Sequence, residues 1–561
     1  MYKGSKQDVK VNHTIQGGII EETNGDLGGS RHELCISYGQ KITNILLDAG
    51  DAPVNNQVAG KKEHLSGSDI KDNDAVIISH IHRDHGGEIV FIPKQGYNKP
   101  IHMHSTAKKL ADILLYDALK KQDETIKNTN EQLKRARELL RKANQSLSIL
   151  LGVNSTRNIK PLAQDMLNLE EIERIFKKNK IERINPLSQA ELDTHKPSYL
   201  KREFSEEDVI AAIKNIAPIQ YGEEISLIKN FVKAKFYNAG HIQGSVLTLL
   251  KIIGDHTKPH STFNVLYTGD IGRFKDPGKV GVPQIPKEKL DYMIIEGTYG
   301  NALHVDRTYE KRRFIDELNN AEGLVLIPCF VIERMQEVRE MLGAAIDNNQ
   351  LVLEKGEKIY FDSKLGYNIS KEYLMADSKN AYPHLKDHPQ MERISDKESI
   401  EGVKASKKIM GHKGRTIVVC SGGMAENGSV MEYLTHAMGS RDAKILTTGF
   451  QAPGTIGHKL LHNDFSEPLI INGKPITENN AYVNSFSFSS HGDQDDLMHF
   501  IKNCKLSDDV KITIVHGGIQ REGLEEKIRE YLTAQDLKKK KENRGKREVF
   551  VPEKNGDSVS I

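Results

Sequence analysis

The chain has 561 residues, which at roughly 100–200 residues per unit suggests about three or four folded units and excludes a disulfide-dependent miniprotein. Hydrophobic residues make up 37% and charged residues 28%, which excludes a membrane bundle and a wholly disordered chain. Lys+Arg 79 against Asp+Glu 77 leaves a formal charge of +2, so any contact with a polyanion has to rest on local basic patches. Cys35, Cys329, Cys420 and Cys504 lie far apart with no CxxC pair, the pattern of a reducing compartment. Residues 1–18 lack a basic-then-apolar leader, and the longest apolar stretch, 324–332, is about half a membrane span. A cytoplasmic enzyme or binding protein with no membrane contact is expected.

In chain order, residues 11–50 alternate in short runs broken by Gly17-Gly18 and Gly28-Gly29, and read as strands joined by turns. Apolar runs at 75–78, 232–236, 246–250, 264–267, 292–295 and 512–515 read as buried strands. From 119 to 151 the composition changes to Lys, Gln, Asn, Glu and Arg, with Leu119, Ile126, Leu133, Leu140 and Leu147 every seventh residue. That spacing predicts a long amphipathic helix, half of a coiled-coil hairpin whose return includes 166–178. Eight basic residues against four acidic ones between 120 and 142 make it locally +4: a solvated face, or an arm that docks RNA, a protein partner or a second copy of the chain. A helix at 205–215 leads back into strand pattern. A fresh α/β series then starts: helix 307–319, strand 323–327, helix 333–342, strand 358–362. A second basic run, Lys538 to Lys541 with Arg544, Lys546 and Arg547, reads as a solvated loop or a phosphate-tracking one.

The densest chemical signal is Ser79-His80-Ile81-His82-Arg83-Asp84-His85-Gly86-Gly87, directly after the strand at 75–78. Side chains two apart on extended backbone point the same way, so His80 and His82 can grip one ion while Asp84 and His85, in the following turn, reach a second. A two-ion centre needs more ligands, and His241, Asp270, Glu296 and His516 each follow an apolar strand, where side chains from several strands converge. A second His-x-His, His102-Met103-His104, has no Asp-His after it and reads as structural. The glycine loops 421–428 and 449–457 are turns or phosphate cradles.

These ordered motifs resemble the metallo-β-lactamase superfamily and, within it, the β-CASP nucleases that process RNA, among them the endonuclease of pre-mRNA 3′-end processing and its prokaryotic relatives. The resemblance implies an α/β fold: a metallo-β-lactamase αββα sandwich (1–300, with a helical coiled-coil-like insertion at about 117–190, larger than the family needs there), an inserted β-CASP domain (301–484) and a return to the sandwich (485–561). It implies two zinc ions, one on His80, His82 and His241, the other on Asp84, His85 and His516, with Asp270 bridging. Asp84, Glu296 and His491 become the catalytic set, with His491 as general acid oriented by Glu296. Ser489, Ser490, Arg334, Gly454 and Thr455 fall at the substrate. Glu333 stands where relatives have glycine, His458 where they have arginine and Gly297 where serine is common.

The expected activity is zinc-dependent hydrolysis of single-stranded RNA, leaving 5′-phosphate and 3′-hydroxyl ends, internally or 5′-to-3′ from an end. RNA is favoured over DNA because a histidine at the position of His516 marks the RNA-processing members. The competing readings are a single-stranded DNA nuclease, a small-ester metallo-hydrolase and a silent RNA-binding scaffold subunit.

Overall fold

The computed structural model describes residues 9–17, 20–21, 26–27, 29–51, 70–152, 202–254, 262–275, 278–376, 382–386, 388–394, 400–538 and 545–561. They fall into two units, one from Met1–Asn56, Glu63–Ile113 and Ala211–Ile561, the other from Gln57–Lys62 and Leu114–Ile210.

In the first unit, alternating apolar residues build two seven-stranded sheets whose apolar faces meet. One runs in the order Ser558–Ser560, Val9–Gly17, Arg31–Tyr38, Lys41–Leu47, Ala75–Ile77, Ile101–His104, Ile216–Ile219. The other runs Glu548–Phe550, Lys505–Val515, Lys289–Glu296, Thr262–Tyr267, Val246–Ile253, Val232–Asn238, Glu224–Ile228. Val11, Leu34, Ile45 and Ile77 of the first pack with Val232, Phe236, Val265 and Ile294 of the second in one fully buried cluster. The outer face of the second sheet is covered by helices Gln494–Asn503 and Gln520–Leu537, whose Leu497, Phe500, Leu524 and Ile528 meet Leu249, Met293 and Ile514. The final strands complete both sheets, Ser558–Ser560 pairing with Val9–Gly17 and Glu548–Phe550 with Lys505–Val515. The result is an α/β fold with sheets enclosed by helices.

A third sheet, all parallel, runs Met391–Arg393, Ile359–Asp362, Thr416–Ser421, Leu324–Cys329, Lys444–Thr447, Tyr482–Ser485. Its strands are buried on both sides, one cluster centred on Phe314, Val338 and Ile359 and the other on Leu326, Tyr433 and Leu434, as expected of near-continuous apolar runs. Helix Arg307–Asn319 starts where the sequence predicts, with the Asp306 side chain capping Tyr309 N.

Helix Ser105–Gly152 begins fourteen residues before the predicted start. Ala107, Leu110 and Ala111, at helical spacing and buried, extend it upstream of the seven-residue repeat. In the second unit Arg202 forks onto Asp123 at 2.6 and 2.7 Å, and Gln122 donates to Phe204 O at 2.9 Å, tying the chain's return to the helix. The expected return helix at 166–178 and residues 539–544 of the basic run lie outside the described residues. Among the described residues no helix is long and apolar enough to cross a membrane.

Glu333 sits at φ 66°, the left-handed region where glycine carries no penalty, at the turn between strand Leu324–Cys329 and helix Arg334–Asp347. Its buried carboxyl accepts from Tyr373 and Tyr382 at 2.8 and 2.9 Å. Burial, with Glu337 nearby, pushes it from 4.5 up to about 7. The folded state therefore holds a proton that the unfolded chain has released, and stability falls as pH rises from about 4.5 to about 7. Glu333→Gln should remove up to about 3 kcal/mol of that fall, measured as the difference in urea-unfolding free energy between pH 5 and pH 8 by circular dichroism; an unchanged difference would show that Glu333 is ionised throughout.

Candidate metal centre

The site forms at the ends of parallel strands. Ser79 to His85 follow strand Ala75–Ile77, Asp270 follows Thr262–Tyr267, Glu296 ends Lys289–Glu296, and His516 follows Lys505–Val515. His241 comes from the turn joining the antiparallel pair Val232–Asn238 and Val246–Ile253. Turns this close need residues without a side chain. A Cβ on Gly50 would lie 1.8 Å from Asp84 O, and one on Gly272 would lie 1.9 Å from Gly240 O.

Two groups of metal-ligand type result among the described residues, and a third, Asp270 with Glu296 and His516, takes one member from each of them. In the first, His82 Nδ1 is 3.1 Å from His80 Nε2 and 3.2 Å from His241 Nε2, while Asp270 Oδ2 is 3.5 and 3.6 Å from those two Nε2 atoms. In the second, Asp84 Oδ2 is 3.3 Å from His516 Nε2 and 4.0 Å from His85 Nε2, and Asp270 Oδ1 is 3.2 Å from His85 Nε2. Asp270 thus faces both groups with one oxygen each.

These atoms fit a divalent cation. Tetrahedral ligands at zinc–nitrogen distances of about 2.0–2.1 Å stand about 3.3 Å apart, close to the separations of the first group. Three ring nitrogens crowding together leave lone pairs facing one another unless a cation sits between them. His85 Nε2 and Asp270 Oδ1 are buried and have only one another, poorly aligned at 3.2 Å, in place of a hydrogen-bond partner. Burial holds His80 and His241 well below the ordinary imidazole value and His82 down to about 4, so these rings are neutral, the form that binds metal. His85 differs: burial opposes its charge, but Asp270, Asp48 and Asp84 outweigh it and raise it well above the ordinary value. The carboxylates that draw a proton onto His85 also draw a metal cation, which displaces that proton.

Asp48 was read in the sequence only as part of a turn. It lies fully buried after strand Lys41–Leu47, at φ 62°, and its Oδ2 accepts from His85 Nδ1 at 2.6 Å. Ser79 donates to it through both N–H (2.6 Å) and hydroxyl (2.8 Å). The available signal was positional, an aspartate ending an apolar strand just as Asp270 does.

Glu296 and His491 form a second device. The Glu296 carboxylate, fully buried, accepts from Ile271 N at 2.6 Å and Thr298 N at 3.3 Å, and both oxygens lie 3.2 Å from His491 Nδ1. His491 Nε2 is 3.8 Å from Asp270 Oδ2. Burial disfavours charge on His491, yet Glu296 and Asp270 prevail and lift it to about 9. Thr298 Oγ1 lies 3.0 Å from His516 Nδ1 and steadies that ring.

The other expected residues part company. Ser489 Oγ accepts from His491 N at 3.2 Å and lines a cleft of about 400 Å³ with Tyr299, Arg313, Phe450, Gln451 and His458. None of the seven residues of the two metal-type groups lines that cleft, although the Tyr299 ring is 6.0 Å from that of His491. Ser490 is half-buried beside Ser489 and is not among the lining residues. Arg334 is buried with its guanidinium on Glu337 at 2.7 Å, away from the cleft lining, because burial there demands a carboxylate partner. Thr455 caps the short helix Ile456–Leu461 by accepting from His458 N, and Gly454 precedes it at φ 85°, so both serve the turn. His104 stacks on Tyr221 with ring centroids 3.9 Å apart.

Three family models match the chain: the metallo-beta-lactamase superfamily over residues 40–149, the Beta-Casp domain over 335–460, and the Zn-dependent metallo-hydrolase RNA specificity domain over 478–552. An RNase J-like protein of Methanocaldococcus jannaschii is 30% identical over 57% of this chain and 71% of its own length. A transcription termination factor of the same organism is 25% identical over 88% of this chain and 66% of its own. A ribonuclease of Thermus thermophilus is 23% identical over 88% and 91%.

Removing two ring nitrogens from the first group should empty it. His80→Ala with His82→Ala is expected to lower bound metal per chain by about half or more, read by elemental analysis after dialysis; undiminished metal content would show that these atoms hold no ion.

Proposed function

The chain belongs to the metallo-β-lactamase superfamily and carries its β-CASP domain, and from that premise we propose that it hydrolyses single-stranded RNA with two zinc ions. The observation that carries this reading is the meeting of two metal-type groups on Asp270 with His491 beside them, held by Glu296. RNA as substrate is supported by the match to an RNA specificity domain and by the ribonuclease relatives.

In this reading His80, His82 and His241 would hold one ion and Asp84, His85 and His516 the other, with Asp270 able to serve both. Ions held there let water ionise near neutral pH and offset the charge that builds on a phosphoryl group under in-line attack. Asp84, more exposed than His85 and His516 beside it, accepts a hydrogen bond from the attacking water. That water forms a new bond to phosphorus as the bond from phosphorus to the 3′ oxygen breaks. His491 Nε2 gives its proton to the departing 3′ oxygen, so the products are a 3′-hydroxyl and a 5′-phosphate. Glu296 keeps the imidazole aimed and protonated at Nδ1, and its own two backbone donors stop it turning away. Ser489 orders the backbone at His491 and places a hydroxyl on the wall of the cleft, where a strand lies next to the reacting phosphate.

Zinc-loaded protein should cut internally labelled single-stranded RNA and leave the matched DNA intact, with product lengths showing whether cutting is internal or from the 5′ end. His491→Ala should lower kcat about 10²–10⁴-fold with full metal content retained. Intact RNA in the presence of metal-loaded wild-type protein would overturn the nuclease reading in favour of a scaffold or a small-ester hydrolase.

A further inference from the structure

A chain of hydrogen bonds crosses the space between the first two sheets, inside the cluster that contains Val11, Leu34 and Phe236. All of its members are buried, and none is used by the mechanism above. Its polarity can be followed outward from Asp48, because a carboxylate only accepts. The Tyr267 hydroxyl donates to Asp48 Oδ2 at 2.5 Å, so its oxygen accepts from Ser30 Oγ at 3.1 Å. Ser30, having donated, accepts from His32 Nε2 at 3.2 Å.

Burial pushes His13 down to about 3 and His32 well below the ordinary imidazole value, so each ring carries a single N–H. With its proton on Nε2, His32 accepts at Nδ1 from His13 Nε2 at 3.2 Å. His13 then accepts at Nδ1 from Tyr292 at 2.6 Å, and the Tyr292 oxygen accepts from Thr513 at 2.7 Å. Every hydrogen points toward Asp48. Apolar residues of similar volume would fill this core at no desolvation cost, so a satisfied polar chain here has a directional purpose.

That purpose lies at the other side of Asp48. Its Oδ2 also accepts from His85 Nδ1 at 2.6 Å and from Ser79 Oγ at 2.8 Å. Ser79, having donated, accepts from His80 Nδ1 at 3.1 Å. The Nδ1 atoms of His85 and His80, one ring from each metal-type group, are thereby committed to these bonds, and the Nε2 atoms facing Asp270 are the ones left for a cation, which on His85 displaces a proton.

We propose that this buried chain is a positioning network for the metal centre, orienting Asp48 so that His85 and, through Ser79, His80 present unprotonated Nε2 atoms to divalent cations. The inference rests on the two-ion reading of the site. Partners of this kind govern metal affinity by about 10–100-fold when they are removed.

The test uses metal-depleted full-length protein, zinc affinity from competition with a chromophoric chelator, and the visible spectrum of the cobalt-loaded protein. Tyr267→Phe removes one oxygen and should weaken zinc at least tenfold and alter the cobalt spectrum. Tyr292→Phe, at the far end, should weaken zinc less, and should change nothing further once Tyr267→Phe has cut the chain. If Tyr267→Phe does not fold, Ser30→Ala cuts the chain one link further out and carries the same expectations. Wild-type zinc affinity and cobalt spectrum in the folded variants would overturn the proposal, as would a Tyr292→Phe effect that persists in full on the Tyr267→Phe background. A wild-type protein that binds neither metal would instead overturn the two-ion reading, and the network's role with it.

Discussion

The parallel pairing of Lys505–Val515 with Lys289–Glu296 is the constraint on which the site depends. It sets Glu296 opposite Val515, so that His516 emerges beside Thr298 and Asp84, although the intervening chain has meanwhile built a whole third sheet. Loop closure of that length costs little more than a shorter one, since the entropy grows only with the logarithm of the loop. What holds the ends together is apolar burial: Ile294 and Val515 lie in the inter-sheet core, and Ile295, Ile512 and Ile514 lie under the covering helices. The polar residues that follow these strands are held at the core's edge, where their side chains converge.

Convergence creates an electrostatic problem that the structure resolves twice. Neutral imidazoles crowd within hydrogen-bond distance of one another, and carboxylates are taken out of water. Such an arrangement is costly without compensating charge, which a divalent cation supplies. His491 shows the opposite balance, where two carboxylates overcome burial and keep a proton on the ring. The two behaviours differ in what each ring faces: His80, His241 and His491 all lie near Asp270, but His80, His82 and His241 crowd one another, whereas His491 also has the Glu296 carboxylate on its Nδ1.

The third sheet contributes a different kind of constraint. Its strands follow α/β rules closely, yet at Glu333 an ionisable side chain occupies a left-handed turn and a buried site. The tyrosine hydroxyls and its raised proton affinity make that burial tolerable. A glycine there would meet the backbone demand alone; Glu333 adds a titratable group, which ties the stability of the region to pH.

The sequence by itself determined the elements and the ingredients of the site. Period-two and continuous apolar runs marked the central strands within a few residues, and His80 to His85, His241, Asp270 and His516 stood out because each ends such a run. Helix Ser105–Gly152 was legible from its seven-residue repeat, but not its upstream end, where burial rather than the repeat sustains the helix. Only the tertiary structure decided which polar residues meet. His13, His32, Tyr267 and Tyr292 occupy ordinary alternating strand positions, and nothing local distinguishes them from other inward-facing residues until two sheets are laid face to face. Arg334 was likewise opaque, since an arginine at a helix start does not announce which buried carboxylate, here Glu337, its guanidinium will meet. Local pattern reports how a side chain is oriented on its own element, whereas a hydrogen bond or a metal site depends on a partner that a different part of the chain supplies.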